Sequence, residues 1–174
     1  MKRFLIIATI LIASILSVSA FLIAKKTASN IVKNEEIHYH AGFIVFENGK
    51  KLDFSDTKYM YIKSCTLDGE EDESLEDSQL EKAHLHDNVG DVVHVEGEGA
   101  VWGDLFANIK FPIDYSKVTG YINGYEEKDF QNKAINSDDS LVLFVGPVNE
   151  KLLTQALTAS YIEETAAKSG PCSD

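Results

Sequence analysis

The amino-acid sequence predicts a mainly β domain of the α+β class. The expected form is a compact antiparallel sheet with a C-terminal α-helix, preceded by one N-terminal hydrophobic helix. Three observations carry this. Short segments rich in β-branched and aromatic residues recur between residues 38 and 145, a composition suited to a pleated, half-buried surface. Two of them run into Asn-Gly pairs, Asn48-Gly49 and Asn123-Gly124, which favour tight hairpins because both central residues of a type I′ turn need positive φ. Beyond Pro147 the apolar spacing becomes helical, with Leu153, Leu157 and Tyr161 on one face of a helix expected over Glu150 to Ala167.

The chain of 174 residues suits one domain plus a targeting segment. Lys2 and Arg3 precede an uninterrupted apolar run from Phe4 to Ala24, closed by Lys25 and Lys26. At about 21 residues the run is long enough to cross a bilayer core as a helix, and longer than most signal-peptide apolar regions. Val18-Ser19-Ala20 offers small residues for cleavage, but Phe21 to Ala24 prolongs the apolar run beyond it. Residues 1–26 therefore read as a signal anchor or signal peptide. Either way the domain is expected outside the cytoplasm, secreted or held at the membrane by this helix. No cysteine near the end of the run suggests a lipoprotein. Residues 27–37 read as a linker, 38–170 as the domain and 171–174 as a tail.

Within the domain, His38 to Glu47 reads as a strand that turns at Asn48-Gly49 into a return strand through Leu52 and Phe54. Lys58 to Thr66 reads as a further strand. Residues 68–81 carry eight acidic side chains and no basic one. Such a block repels itself and reads as a solvated loop, with a short helix starting near Ser74 and running through Lys82. It is not a calcium loop, since Glu73 stands where glycine is needed and Gln79 where the bidentate Glu is needed. His84 to Glu96 reads as two short strands joined around Asn88-Val89-Gly90. Gly103 to Ile109 is a helical turn facing Leu105, Phe106 and Ile109 inward, and Val118 to Ile122 and Ser140 to Val145 are strands.

The net charge of −12 argues against nucleic acid as a partner, because binding phosphates requires a basic footprint.

All five histidines fall in three short motifs: His38-Tyr39-His40, His84-Leu85-His86-Asp87 and His94-Val95-Glu96. Residues at i and i+2 of a strand face the same side, about 7 Å apart, so each His-x-His pair can offer two imidazoles to one ion. Neutral imidazole suits zinc, copper, iron and nickel. The pattern predicts a transition-metal site, copper or zinc, with His38, His40, His84, His86 and His94 as ligands. Cys65, Asp87 and Glu96 are candidates for a further ligand or an outer partner, and Glu36 and Asp91 could also orient ligating imidazoles. Cys65 and Cys172 could pair in an oxidising compartment, but no Cys-x-x-Cys is present. Met60 is the sole methionine of the domain, which does not suit a methionine-rich copper carrier.

The succession His-x-His, His-x-His-Asp-x-x-Gly, His-Val-Glu and Trp102-Gly103-Asp104-Leu105-Phe106 resembles a family of small, largely uncharacterised, membrane-anchored envelope proteins of archaea and bacteria. The resemblance spans His38 to about Gly146. It implies a metal site and an extracytoplasmic location, and no defined reaction. Some members carry the name protein-disulfide isomerase, which the absence of a dithiol motif here does not favour. Three functions stay open: a metal-handling module, a metalloenzyme with Asp87, Asp91 or Glu96 as base, and a thiol-disulfide protein.

Overall fold

The computed structural model describes residues 37–62 and 75–168, all within a unit that runs from Ile37 onward. The N-terminal hydrophobic run, Glu36, Cys65, Cys172 and the acidic block up to residue 74 lie outside the described residues. No helix among the described residues is long and apolar enough to cross a membrane.

The strands are β1 (Tyr39–Glu47), β2 (Lys50–Lys51), β3 (Val92–Val95), β4 (Val118–Ile122), β5 (Tyr125–Glu127) and β6 (Ser140–Val145). They form one mixed sheet in the order β2-β1-β6-β4-β5, with β3 also paired to β1. Both Asn-Gly turns form as their chemistry requires. Asn48 and Gly49 have φ of 50° and 82°, and Asn123 and Gly124 have 53° and 83°, the double left-handed geometry of a type I′ turn. The return strand of the first hairpin is short; Leu52 adds one bond to the Val45 carbonyl (2.8 Å), and Phe54 is buried in the core.

The sheet is not wholly antiparallel. β1 and β6 run parallel, Gly42 opposite Ser140 through Glu47 opposite Val145. A parallel pair needs a long crossover, and the ninety-odd residues between these strands supply one. It also needs cover on both faces. Accordingly both strands read as nearly continuous apolar runs, Phe43 to Phe46 and Leu141 to Val145.

Odd-numbered residues of β1 (Ala41, Phe43, Val45) enter the main core with Val93, Val95, Leu141 and Leu143. Helix α2 (Trp102–Asn108) supplies Trp102, Leu105 and Phe106 to that core, and Ile109 follows it inward. Helix α1 (Leu75–Lys82) packs beside α2, so the acidic segment ends as a helix. Even-numbered residues Ile44 and Phe46 face a second core with Tyr121, Val142 and Phe144.

The C-terminal segment covers this second face, but not as one helix. A 3-10 helix (Glu150–Gln155) is followed by an extended break, and helix α3 spans Ala159–Ala166. The Thr158 side chain accepts the Tyr161 N–H (3.2 Å), and a threonine that caps a new helix competes with continuation of the old one. Ile162 and Ala166 are buried, whereas Tyr161 is partly exposed with its hydroxyl on Asp91. The expected strand over Lys58 to Thr66 begins instead as a 3-10 turn (Thr57–Tyr59), because the Asp56 carboxylate accepts the Lys58 N–H.

Candidate metal centre

His40 lies on the even face of β1, one pleat beyond Gly42. A Cβ on Gly42 would stand 2.9 Å from Leu157 Cδ1 and 3.0 Å from Ile162 Cδ1. Glycine there lets the C-terminal segment rest on the sheet beside His40, which ends the second apolar face and begins the histidine cluster.

The register brings two strands and one isolated bridge together at the site, so the first of the two strands expected over His84 to Glu96 is only that bridge. His40 stands opposite His94 in the β1–β3 ladder. His84 bridges to His94 on the other edge of β3. The two pairs differ in kind. His84 and His94 exchange both backbone bonds, at 3.0 and 2.9 Å, whereas the His40 carbonyl bonds away from β3, to the Asp138 N–H (2.8 Å). His40 and His94 therefore form a non-hydrogen-bonded pair, in which side chains come closer. Ring centroids follow this: 4.3 Å for His40–His94 and 6.0 Å for His84–His94. His94 is the hub, with His38 at 6.0 Å and His86 at 3.6 Å.

His38, His40 and His94 each place a ring nitrogen within 4.8 Å of the other two. The closest contact is His40 Nε2 to His94 Nδ1, 3.0 Å. Two nitrogens bound to one ion at about 2.0–2.1 Å come to lie about 3 Å apart, so this pair already has the spacing of two ligands to a shared ion. The three side chains grade from surface to interior: His38 is exposed, His40 half-buried and His94 2 % exposed.

His84 and His86 are not members of that three-residue group. Their rings are oriented by other partners. His84 Nδ1 donates to the Leu80 carbonyl (3.1 Å) and His86 Nδ1 to Asp87 Oδ2 (2.7 Å). Each arrangement leaves Nε2 with its lone pair free. Asp87 and Asn88, with φ of 56° and 58°, make the tight turn closed by the Val89 N–H on the His86 carbonyl (3.0 Å). The turn thus sits one residue earlier than Asn88-Val89-Gly90. Gly90 instead permits a close backbone approach, since a Cβ there would stand 2.4 Å from the Ser55 backbone nitrogen.

The other sequence candidates separate. Asp87 sits against His86 as an outer partner. Asp91 serves Lys51 and Tyr161 instead of a histidine. Glu96 is exposed and outside the ligand group. Cys65 lies outside the described residues.

Burial and mutual repulsion keep the inner imidazoles neutral. His94 is pushed down to about 2, first by desolvation, then by the neighbouring charges of His86, His40, His84 and His38. His84 is pushed down to about 4, chiefly by desolvation. His40 is also lowered, by burial and by His38 and His86, with Asp138 opposing. Unprotonated imidazole is the form that binds a cation. The buried Nε2 of His94 has no hydrogen-bond partner among the described residues, which costs about 1–3 kcal/mol unless a ligand satisfies it.

This histidine group can hold a metal ion. No family model, curated protein or solved structure matches the chain.

Two clefts, of about 510 and 420 Å3, are lined around Lys51, Asp91 and Tyr161 and around Asn123, Tyr125 and Asn136, and neither is lined by a histidine.

Proposed function

We propose that the protein is a transition-metal-binding domain that works outside the cytoplasm, binding copper or zinc through His38, His40 and His94. The observation that carries the reading is the three ring nitrogens within 4.8 Å of one another, one on a buried side chain. Soft and borderline late transition ions suit imidazole donors, and calcium and magnesium, which take oxygen ligands, do not. The apolar run from Phe4 to Ala24 supports an anchor or export signal, and so a domain facing the envelope.

A second reading has one observation in its favour. Three protein nitrogens would leave a four-coordinate ion one position short, and His38, at one end of the group, is exposed. A catalytic ion needs such a position for water or substrate.

The test is elemental analysis and competitive metal titration of the full chain, purified without a histidine tag. At least one equivalent of copper or zinc is expected, and one equivalent fewer in His38→Ala/His40→Ala. A folded protein that takes up neither ion under any loading would end the reading.

A further inference from the structure

We infer that the five histidines form two adjoining ion positions, with His94 bridging them as an imidazolate. His94 Nδ1 would serve the ion of His38 and His40, and His94 Nε2 a second ion held by His84 and His86. The inference rests on the metal-binding reading above and goes one step beyond it.

Topology supplies the first argument. β3 lies between β1 and the His84–His86 segment, so His94 has imidazoles on both lateral sides. All four other rings have centroids within 6.0 Å of its own. Among the described residues only His38, His40 and His94 have nitrogens already within 4.8 Å of one another, and the second position requires the His84 and His86 rings to turn their Nε2 toward His94. A single ion leaves the other pair unused.

The nitrogens supply the second argument. His94 Nδ1 is engaged by His40 Nε2 at 3.0 Å. Its Nε2 is buried and unpartnered among the described residues, and this is so in either tautomer: as N–H it is an unsatisfied donor, as bare nitrogen an unsatisfied acceptor. The lone-pair directions of the two ring nitrogens diverge widely, and His84 and His86 are the imidazoles on the remaining side. Both have Nδ1 committed, to Leu80 and Asp87, and Nε2 available. A metal-ligating histidine typically donates its other N–H to a carbonyl or carboxylate in this way.

The chemistry balances simply. Neutral His94 gives up its single ring proton to solvent, and each ring nitrogen then donates one electron pair to one ion. The imidazolate carries one negative charge between two dications, which lessens their repulsion inside a chain already at −12.

The experiment loads the full chain, in mild detergent and without a histidine tag, with copper(II), then compares elemental analysis with electron paramagnetic resonance. Two equivalents per chain are expected, with a spin signal far below two because copper ions couple through an imidazolate. His86→Ala removes a half-buried ring and leaves His84 and His94 in place, so it tests the second position with little risk to the fold. It should bind one equivalent with the full signal of an isolated ion, and His84→Ala/His86→Ala should do the same. Wild-type protein saturating at one equivalent that depends on His38 and His40 overturns the second position and leaves the three-histidine site standing. Two equivalents with an uncoupled signal overturn the bridge. No uptake at all removes both readings.

Discussion

His40 Nε2 and His94 Nδ1 stand 3.0 Å apart across a non-hydrogen-bonded strand pair. The contact joins a half-buried imidazole to a fully buried one. It sets the ligand spacing before any ion arrives, so binding need not reorganise the backbone.

Because this pair forms the inner half of the three-histidine site, His40→Ala should weaken metal affinity by at least about 100-fold, more than loss of an outer partner, which costs about 10–100-fold. Competition against a chromogenic chelator would measure it. An unchanged affinity would place the ion elsewhere.

Metal should also stabilise the fold by mass action. At an ion concentration about 100 times Kd the gain is about 2.7 kcal/mol. Thermal unfolding with zinc or copper should therefore show a raised Tm, reversed by chelator and smaller in His38→Ala/His40→Ala.

The metal-free protein should lose stability in mild acid. The folded-state pKa of His84 is about 4 and that of His94 about 2, both below the usual 6.5. Between those values the unfolded chain binds more protons than the folded one, so stability falls as pH drops below 6.5 and is unaffected by these groups above it. For His84 alone the loss at about pH 5 is about 2 kcal/mol. Urea unfolding of chelated protein between about pH 7 and pH 4.5 would show the slope, and His84→Gln should reduce it while His94 keeps the remainder.

Gly42→Ala should cost about 1–3 kcal/mol, because the added methyl meets Leu157 and Ile162 at 2.9–3.0 Å and overpacking strains a close-packed face. Hydrogen exchange should rise in the segment from Leu157 to Ala166. If stability is unchanged, the C-terminal cover is not seated on the sheet as described.

Asp87→Asn should leave stability within about 0.5 kcal/mol, since asparagine tolerates the left-handed backbone at this turn. The charged acceptor on His86 is lost, so affinity for the second copper should fall about 10-fold or more while the first is unaffected. Stepwise titration separates the two.

Much of the sheet was legible as local chemistry. The Asn-Gly turns, the strands Val118 to Ile122 and Ser140 to Val145, and the inward face of Leu105, Phe106 and Ile109 depend on neighbours in sequence, and they lie where the residue pattern puts them. The C-terminal helix was less legible because Thr158 caps a new helix inside a stretch whose apolar spacing looks continuous. The parallel pairing of β1 with β6 has no local signature beyond two apolar runs, since it depends on what covers each face.

The same division holds at the site. Sequence alone picked out the histidines as candidate ligands, because they are confined to i, i+2 motifs in strand-like segments, which present both side chains on one face. Tertiary structure alone decided which pairs meet. The β1–β3 register sets His40 against His94 in a close pair, the His84 bridge occupies the opposite edge of β3, and Glu96 is left in solvent. Strand register is fixed by burying Val93 and Val95 with Ala41 and Phe43 on the far face of the sheet. A slip of one residue would turn those side chains outward, and that cooperative burial is not encoded in any one motif.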